Sequence, residues 1–165
     1  MVKSVEFKAE DSVQVDEAFF GQFKKQANYL HGFRKYKVVQ KTCVAGISCP
    51  SLGTLALRVI EGKPGIPIKE FIREKVPRNI TVYSDGSPIY TALRSTHNHI
   101  SQTHDLGFET AAYIEGCWSW SKRKVFKQYH HFTKKYAVEY VRELEWRFNT
   151  RKEEKNPFNS LRNTE

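Results

Sequence analysis

Every strand-length apolar run in this chain lies before residue 103, and the apolar residues beyond residue 110 recur with helical spacing. Ser12–Phe20 alternates and is rich in Val and Phe, the pattern of a strand. Thr42–Ser48 is a continuous apolar run, and Thr54–Ile60 alternates again after the turn signal Pro50-Ser51-Leu52-Gly53, so these two read as a hairpin. Gly62, Pro64, Gly65 and Pro67 mark a loop. Ile68, Phe71, Ile72 and Val76 then share one face of a short helix that Pro77 ends. Asn79–Ser84 reads as a buried strand, Ser87–Arg94 as a short helix and Asn98–Gln102 as a last strand. Thr110–Phe126 and His130–Arg151 read as helices. In the second, Tyr136, Tyr140, Leu144 and Phe148 recur every fourth residue, and Asn156 and Pro157 close it. Three strands, helix, strand, helix, strand and C-terminal helices predict an α/β fold, a mixed sheet with helices on its faces. The stretch Gly21–Lys37, with Lys24, Lys25, Arg34, Lys35 and Lys37 among aromatics, fits either an ordered hairpin arm or a mobile basic loop.

Three acids stand at informative places in that order. Asp16 lies within the first strand, in Val13-Gln14-Val15-Asp16-Glu17. Asp85 ends the run Ile80-Thr81-Val82-Tyr83-Ser84 and is followed by Gly86. Glu115 lies in the first long helix, with Lys122 seven residues later. Three antiparallel strands followed by alternating helices and strands are also the order of a ribonuclease-H-like fold. In that topology Asp16 sits mid-strand, Asp85 ends the neighbouring strand, and Glu115 projects from a helix across that end. The separations, 85 − 16 = 69 and 115 − 85 = 30 residues, leave room for the elements between. Three carboxylates brought together predict a site for hard divalent cations, which take oxygen ligands. Two such ions, about 3.5–4 Å apart, suit work on a phosphodiester. Singly, each acid also fits a turn, a cap or a solvated charge.

The charge balance agrees with that chemistry. The 165 residues carry 27 Lys and Arg against 18 Asp and Glu, a formal net charge of +9, which favours nucleic acid as the partner. A hydrophobic fraction of 39% excludes a disordered chain, and the length suits one domain. No apolar run approaches the roughly 20 residues of a membrane span, and residues 1–10 lack a signal-peptide core, so no membrane partner and an intracellular location are expected. Cys43, Cys49 and Cys117 form no CxxC pair and read as reduced thiols.

Four motifs carry a family resemblance. Val13-Gln14-Val15-Asp16-Glu17-Ala18-Phe19-Phe20-Gly21 resembles the V-E-V-D-E-x-x-F-G opening of ISXO-like insertion-sequence transposases, relatives of the eukaryotic Merlin group. Tyr83-Ser84-Asp85-Gly86-Ser87-Pro88-Ile89-Tyr90 resembles their T-D-G-x-x-x-Y. Ile114-Glu115-Gly116-Cys117-Trp118-Ser119-Trp120-Ser121-Lys122-Arg123 resembles I-E-G-x-W-S-x-x-K-R, and Tyr140-Val141-Arg142-Glu143-Leu144-Glu145-Trp146-Arg147-Phe148-Asn149 resembles Y-x-x-E-F-x-W-R-x-N. The motifs follow one another in the family's order between Ser12 and Arg151.

The resemblance implies a DDE-type transposase catalytic domain of ribonuclease-H-like fold over residues 12–151, with an N-terminal extension (1–11) and a polar C-terminal tail (152–165). It implies Asp16, Asp85 and Glu115 as ligands of Mg²⁺ or Mn²⁺, two ions in all, and Lys122 as a basic residue touching DNA. The activity implied is DNA cleavage and strand transfer at transposon ends by a homo-oligomer on DNA, in the cytoplasm or nucleoid of a bacterium or the nucleus of a eukaryote. Two departures stand out. Relatives that carry H-T-N before the isoleucine–glutamate pair have Asn where this chain has Ala112. Relatives also carry an N-terminal end-recognition region, whereas this chain starts almost at its first catalytic strand, so a separate recognition domain or chain is expected. The alternatives are a catalytically decayed or repurposed DNA-binding protein and a nuclease of RNA–DNA hybrids.

Other residues have plainer readings. Arg123, Lys124 and Lys127 extend a basic helix side suited to a phosphate backbone, as do Arg34 and Lys35 in the basic stretch; Lys134, Lys135, Arg142, Arg147 and Arg151 fit the same role. Their alternative is a solvated face. His97, His99, His104, His130 and His131 read as a DNA-facing or exposed set, with metal binding as the alternative. Trp118 reads as core, with a base-stacking wall as the alternative.

Overall fold

The computed structural model describes residues 7–8, 10–21, 26–30, 33–37, 41–102, 112–130 and 132–151; for residues 26–30, 33–37 and 102 only the backbone is described. Strands β1 (Ser12–Phe20), β4 (Thr42–Cys49), β5 (Thr54–Ile60), β6 (Thr81–Asp85) and β7 (His99–Gln102) make one sheet in the order β5-β4-β1-β6-β7. β1, β4 and β5 form an antiparallel meander, and β6 and β7 add in parallel beyond β1. Between β1 and β4 runs a separate antiparallel hairpin, β2 (Gln26–Leu30) and β3 (Phe33–Lys37), so of the two readings of the basic stretch the structure takes the hairpin. Helices α1 (Gly65–Lys75), α2 (Ala112–Tyr129) and α3 (Ala137–Thr150) complete the fold, with 3₁₀ turns at Pro88–Ser95 and Lys134–Tyr136.

The sheet has a core on each face. Val13, Val15, Ala45 and Ile47 meet Ile68, Phe71 and Ile72 of α1 and Tyr90 and Leu93 of the first 3₁₀ helix. Ala18, Phe20, Val44, Leu55 and Leu57 meet Ile114, Trp118 and Val125 of α2 and Val141, Leu144 and Phe148 of α3. Strand β4 lies inside the sheet and is covered on both faces, so all eight of its residues are buried. That is why it reads as a continuous apolar run while its neighbours alternate.

Several boundaries move for identifiable reasons. Helix α1 starts at Gly65, three residues before Ile68, because Pro67 falls in the first turn, where a missing N–H costs nothing. The stretch after Ser87 is a 3₁₀ helix with Pro at its start. The last helix begins at Ala137 rather than His130: His130 takes φ 56°, in the left-handed region, and ends α2. The buried stripe of α3 is Ala137, Val141, Leu144 and Phe148, so Tyr136 is no member of it. His104, His131, Asn156, Pro157, residues 1–6 and 9 of the extension and the 152–165 tail lie outside the described residues.

Candidate active site

Strand β1 presents its side chains alternately to the two cores, and its polar residues follow that rule. Gln14 and Asp16 face α2, while Glu17 faces the first 3₁₀ helix. On one side Asp16 pairs with Gly46 of β4. On the other, Ser12 pairs with Thr81 and Gln14 with Tyr83 of β6, an offset of 81 − 12 = 69. The paired positions end at Gln14–Tyr83; carried two residues further, the same offset, 85 − 16 = 69, directs Asp85 at the end of β6 toward Asp16 on the same face. The two carboxylates are near enough for the Asp85 charge to act on Asp16. Asp85 is exposed, and its Oδ1 accepts the N–H of Ser87 at 3.0 Å, closing the turn that Gly86 permits.

Helix α2 is pinned to β1 at two points. The amide of Ile114, an orphan donor of the helix's first turn, donates to Gln14 Oε1 at 3.0 Å. The indole Nε1–H of Trp118 donates to Asp16 Oδ2 at 2.9 Å. Trp118 is 5% exposed, so it is core, and its ring lies over Gly46, where an added Cβ would stand 2.6 Å from Cζ2 and 2.8 Å from Cη2. A glycine inside an apolar strand marks such a close approach. That was the available sequence signal for Gly46, and a polar Gln14 at an inward position was the signal for the helix pin.

Glu115 sits between the two pins but points elsewhere. Tyr113 and Trp120 of α2 contact Arg151 and Phe148 of α3. At 3.6 residues per turn, Glu115 and Lys122 lie about 200° and 180° around α2 from Tyr113, on the flank away from α3 and toward β6. Glu115 is exposed there. Among the described residues no three His, Cys, Asp or Glu side chains gather closely enough to hold a metal ion. Like charges repel, and a carboxylate on an open helix flank is most stable in water. The structure thus brings together Asp16 and Asp85 and leaves Glu115 beside them.

The electrostatics mark Asp16 as the stressed member. Burial, with the charges of Glu17 and Asp85 added, pushes its pKa up to about 6, against hydrogen bonds from the Glu17 amide and the Trp118 indole. A divalent cation would relieve that stress, and the chemistry of the Asp16–Asp85 pair fits one. On the other face of β1 the Tyr90 hydroxyl donates to Glu17 Oε2. Burial, then Glu17, pushes the Tyr90 pKa far up, which keeps it a donor. Thus each acid of the first motif is held by another motif, Asp16 by Trp118 and Glu17 by Tyr90.

The basic residues divide. Lys122, Arg123, Lys124 and Lys127 are all exposed, but only Lys122 shares the flank of Glu115. Lys124 turns toward α3, its Nζ 5.7 Å from the Trp120 ring. Arg147 is engaged by Glu143 at 2.8 Å, and Arg151 binds the Gly53 carbonyl and the Tyr113 hydroxyl, so both serve the fold rather than a phosphate track. Arg34 and Lys35 sit in β3 opposite Tyr29 and Asn28. His97 is buried, bridging the Val76 carbonyl and Thr96 Oγ1, and His99 Nε2 lies 2.8 Å from Ser84 Oγ, so these two are structural rather than DNA-facing. All three cysteines are free and buried, and burial pushes the Cys43 and Cys117 thiols up to about 11.

Comparison with known proteins settles the family. The sequence pattern of the ISXO2-like transposase domain matches residues 8–149. The chain belongs to the ISXO2-like transposase domain family. No curated protein matches the chain in sequence. Among solved structures, the transposase domain is similar to the catalytic core domain of BIV integrase, at 12% identity and TM-score 0.56, over 82% of this chain and 80% of that one. It is also similar to a chain of the simian T-cell lymphotropic virus intasome bound to the PP2A regulatory subunit B56 gamma, at 11% identity and TM-score 0.50, over 82% of this chain and 46% of that one. At these identities the likeness shows the fold alone, a ribonuclease-H-like mixed sheet with helices. No helix among the described residues is long and apolar enough to cross a membrane.

Proposed function

We propose that this transposase domain cuts and joins DNA at transposon ends, with Asp16, Asp85 and Glu115 as its acidic ligands. The observation that supports the reading is the parallel register of β1 and β6, which runs from Ser12–Thr81 to Gln14–Tyr83 toward Asp16 and Asp85, with the Asp85 charge acting on Asp16. When bound, two Mg²⁺ or Mn²⁺ ions would supply activation of the attacking oxygen and stabilisation of the leaving one. Asp16 and Asp85 offer their carboxylate oxygens from rigid strand positions, and Glu115 supplies the third group from the open flank of α2. Lys122, two helical turns or about 10 Å along the same flank, holds a phosphate beside the scissile one. Arg123 and Lys127, with Arg34 and Lys35 on the hairpin, bind the DNA backbone, while Lys124 lies against Trp120 instead. Water cuts the strand first, and the freed 3′-hydroxyl then attacks target DNA in a single transesterification, so no protein nucleophile is needed. A homo-oligomer on paired ends, a separate end-recognition domain or chain, an intracellular location, and a domain spanning 12–151 between an extension and a tail belong to the same reading.

The test is a nicking and strand-transfer assay on supercoiled and linear DNA with Mg²⁺, Mn²⁺ or EDTA. Metal-dependent cleavage lost in Asp85→Ala establishes the reading; equal activity in wild type and Asp85→Ala defeats it. A second reading is a decayed or repurposed DNA-binding protein, favoured by Ala112 at the family's Asn position and by the exposed, ungathered Glu115. DNA binding without any metal-dependent cleavage would select it.

A further inference from the structure

We propose that Trp118 is a positioning residue, whose indole, seated in the slot left by Gly46, holds the Asp16 carboxylate in the orientation that serves Asp85. This rests on the reading that Asp16 and Asp85 together bind a divalent cation.

Register brings the two anchors of α2 into line with β1. Two residues along β1 span about 6.6 Å, and four along α2 span about 6 Å. Gln14 and Asp16 are two apart, and Ile114 and Trp118 are four apart, so both hydrogen bonds form at once without tilting the helix. The pair of bonds therefore locks α2 along β1, and Trp118 is the only one of the two anchors that reaches a carboxylate of the site.

The indole suits the task chemically. It is a donor only, so it cannot compete with Asp16 for a cation or accept a proton. It carries no charge to repel a metal, and it takes one of the carboxylate's roughly four lone-pair sites; with the Glu17 amide on another, about two remain for ligation. Packing fixes the ring in place. Trp118 meets Phe20 edge-on at 6.1 Å between centroids, and a side chain at position 46 would collide with it at 2.6 Å. A large aromatic directly over a glycine, paired in register with the acid it holds, is more than core filling requires.

The experiment titrates Mn²⁺ into wild type, Trp118→Phe, Gly46→Ala and Asp16→Asn, reading bound metal by electron paramagnetic resonance and the metal-free melting temperature alongside. Trp118→Phe keeps the ring and removes the donor. We expect its Mn²⁺ affinity to fall about tenfold or more while its metal-free melting stays within a few degrees of wild type. Gly46→Ala should weaken binding in the same direction, because the indole must move, and Asp16→Asn should abolish it. Wild-type affinity in Trp118→Phe, with binding lost in Asp16→Asn, overturns the proposal and leaves the metal site standing. Equal binding by wild type and Asp16→Asn defeats the metal reading itself. Should Trp118→Phe lose its fold, the indole N–H resonance of Trp118 in wild type decides. It shifts on Mg²⁺ addition if the indole holds a ligating carboxylate, and an unmoved resonance overturns the proposal.

Discussion

Tyr90 and Glu17 meet through a hydroxyl–carboxylate hydrogen bond on the face of β1 opposite Asp16. Tyr90 is 1% exposed, and its phenol belongs to the segment that follows Asp85. The contact ties the Asp85 turn to the strand that carries Asp16. Tyr90→Phe leaves Glu17 without its donor and should cost about 2 kcal/mol, the range for a hydrogen bond to a charged group. For a domain of this size that lowers the melting temperature by about 4–8 °C. Thermal denaturation of the variant checks it, and an unchanged melting temperature would show that the bond contributes nothing net.

Asp16 makes stability depend on pH in an unusual direction. Its folded pKa of about 6 lies above the unfolded value of about 3.9, so the folded state binds more protons between those limits. Stability contributed by this group therefore falls as pH rises from about 4 to 6, by about 2 kcal/mol after allowance for solvent screening. Asp16→Asn, which can still accept the Trp118 bond, should be more stable than wild type above pH 6 and equal to it near pH 4. Urea midpoints across that range measure the difference, and a constant gap would rule out Asp16 as its source.

A divalent cation should reverse that penalty. At pH 7.5, millimolar Mg²⁺ or Mn²⁺ is expected to raise the melting temperature of wild type, because a ligand of the folded state alone stabilises it. At about 100 times Kd the gain is about 2.7 kcal/mol. Asp16→Asn and Asp85→Asn should lose the shift, whereas Lys124→Ala should keep it. An equal shift in all four proteins would indicate binding elsewhere.

Lys122 and Lys124 are two residues apart yet face different ways. Lys122→Ala should weaken DNA binding and lower the salt slope of log K by about 1, the signature of one lost phosphate contact. Lys124→Ala, whose ammonium lies by Trp120, should leave the slope unchanged. Fluorescence anisotropy at several salt concentrations separates the two, and equal slopes would refute the flank assignment.

The edge strand β5 is covered by α3. Asn149 accepts the Leu55 N–H at 2.8 Å and donates to its carbonyl at 2.9 Å, while Glu145 accepts the Leu57 N–H at 2.8 Å. Asn149→Ala frees both groups of Leu55 and should cost about 1–3 kcal/mol and promote strand-to-strand association. Chemical denaturation and light scattering at rising concentration read both effects.

What the sequence made legible follows the range of the forces involved. The spans of β1 and β5 come out to the residue because alternation and turn chemistry are local, with Gly53 supplying the left-handed turn at φ 65°. Asp16 and Asp85 could be brought together on paper because strand order fixes register. The start of α3 was not legible, since the fourfold aromatic spacing continues through Tyr136, which the fold leaves 47% exposed. Glu115 could be put on one helix flank with Lys122, but spacing alone says nothing of how that helix is rolled on the sheet. That roll is set by Trp118 reaching Asp16 across 102 residues and by Gly46 making room. Neither contact has a local signature beyond an odd glycine in an apolar strand.

β4 and β5 close through a tight turn and β1 pairs β4 across 22–34 residues, whereas β1 meets β6 only across 69 residues of chain. Loop-closure entropy places such a distant pairing late in folding. The two acids therefore stay far apart while most of the hydrophobic sheet is being assembled. Their mutual repulsion becomes an obstacle only at the final parallel docking, when a large apolar surface is already buried to offset it. The order of chain segments thus separates the charge conflict of the candidate site from the local pairings of the sheet.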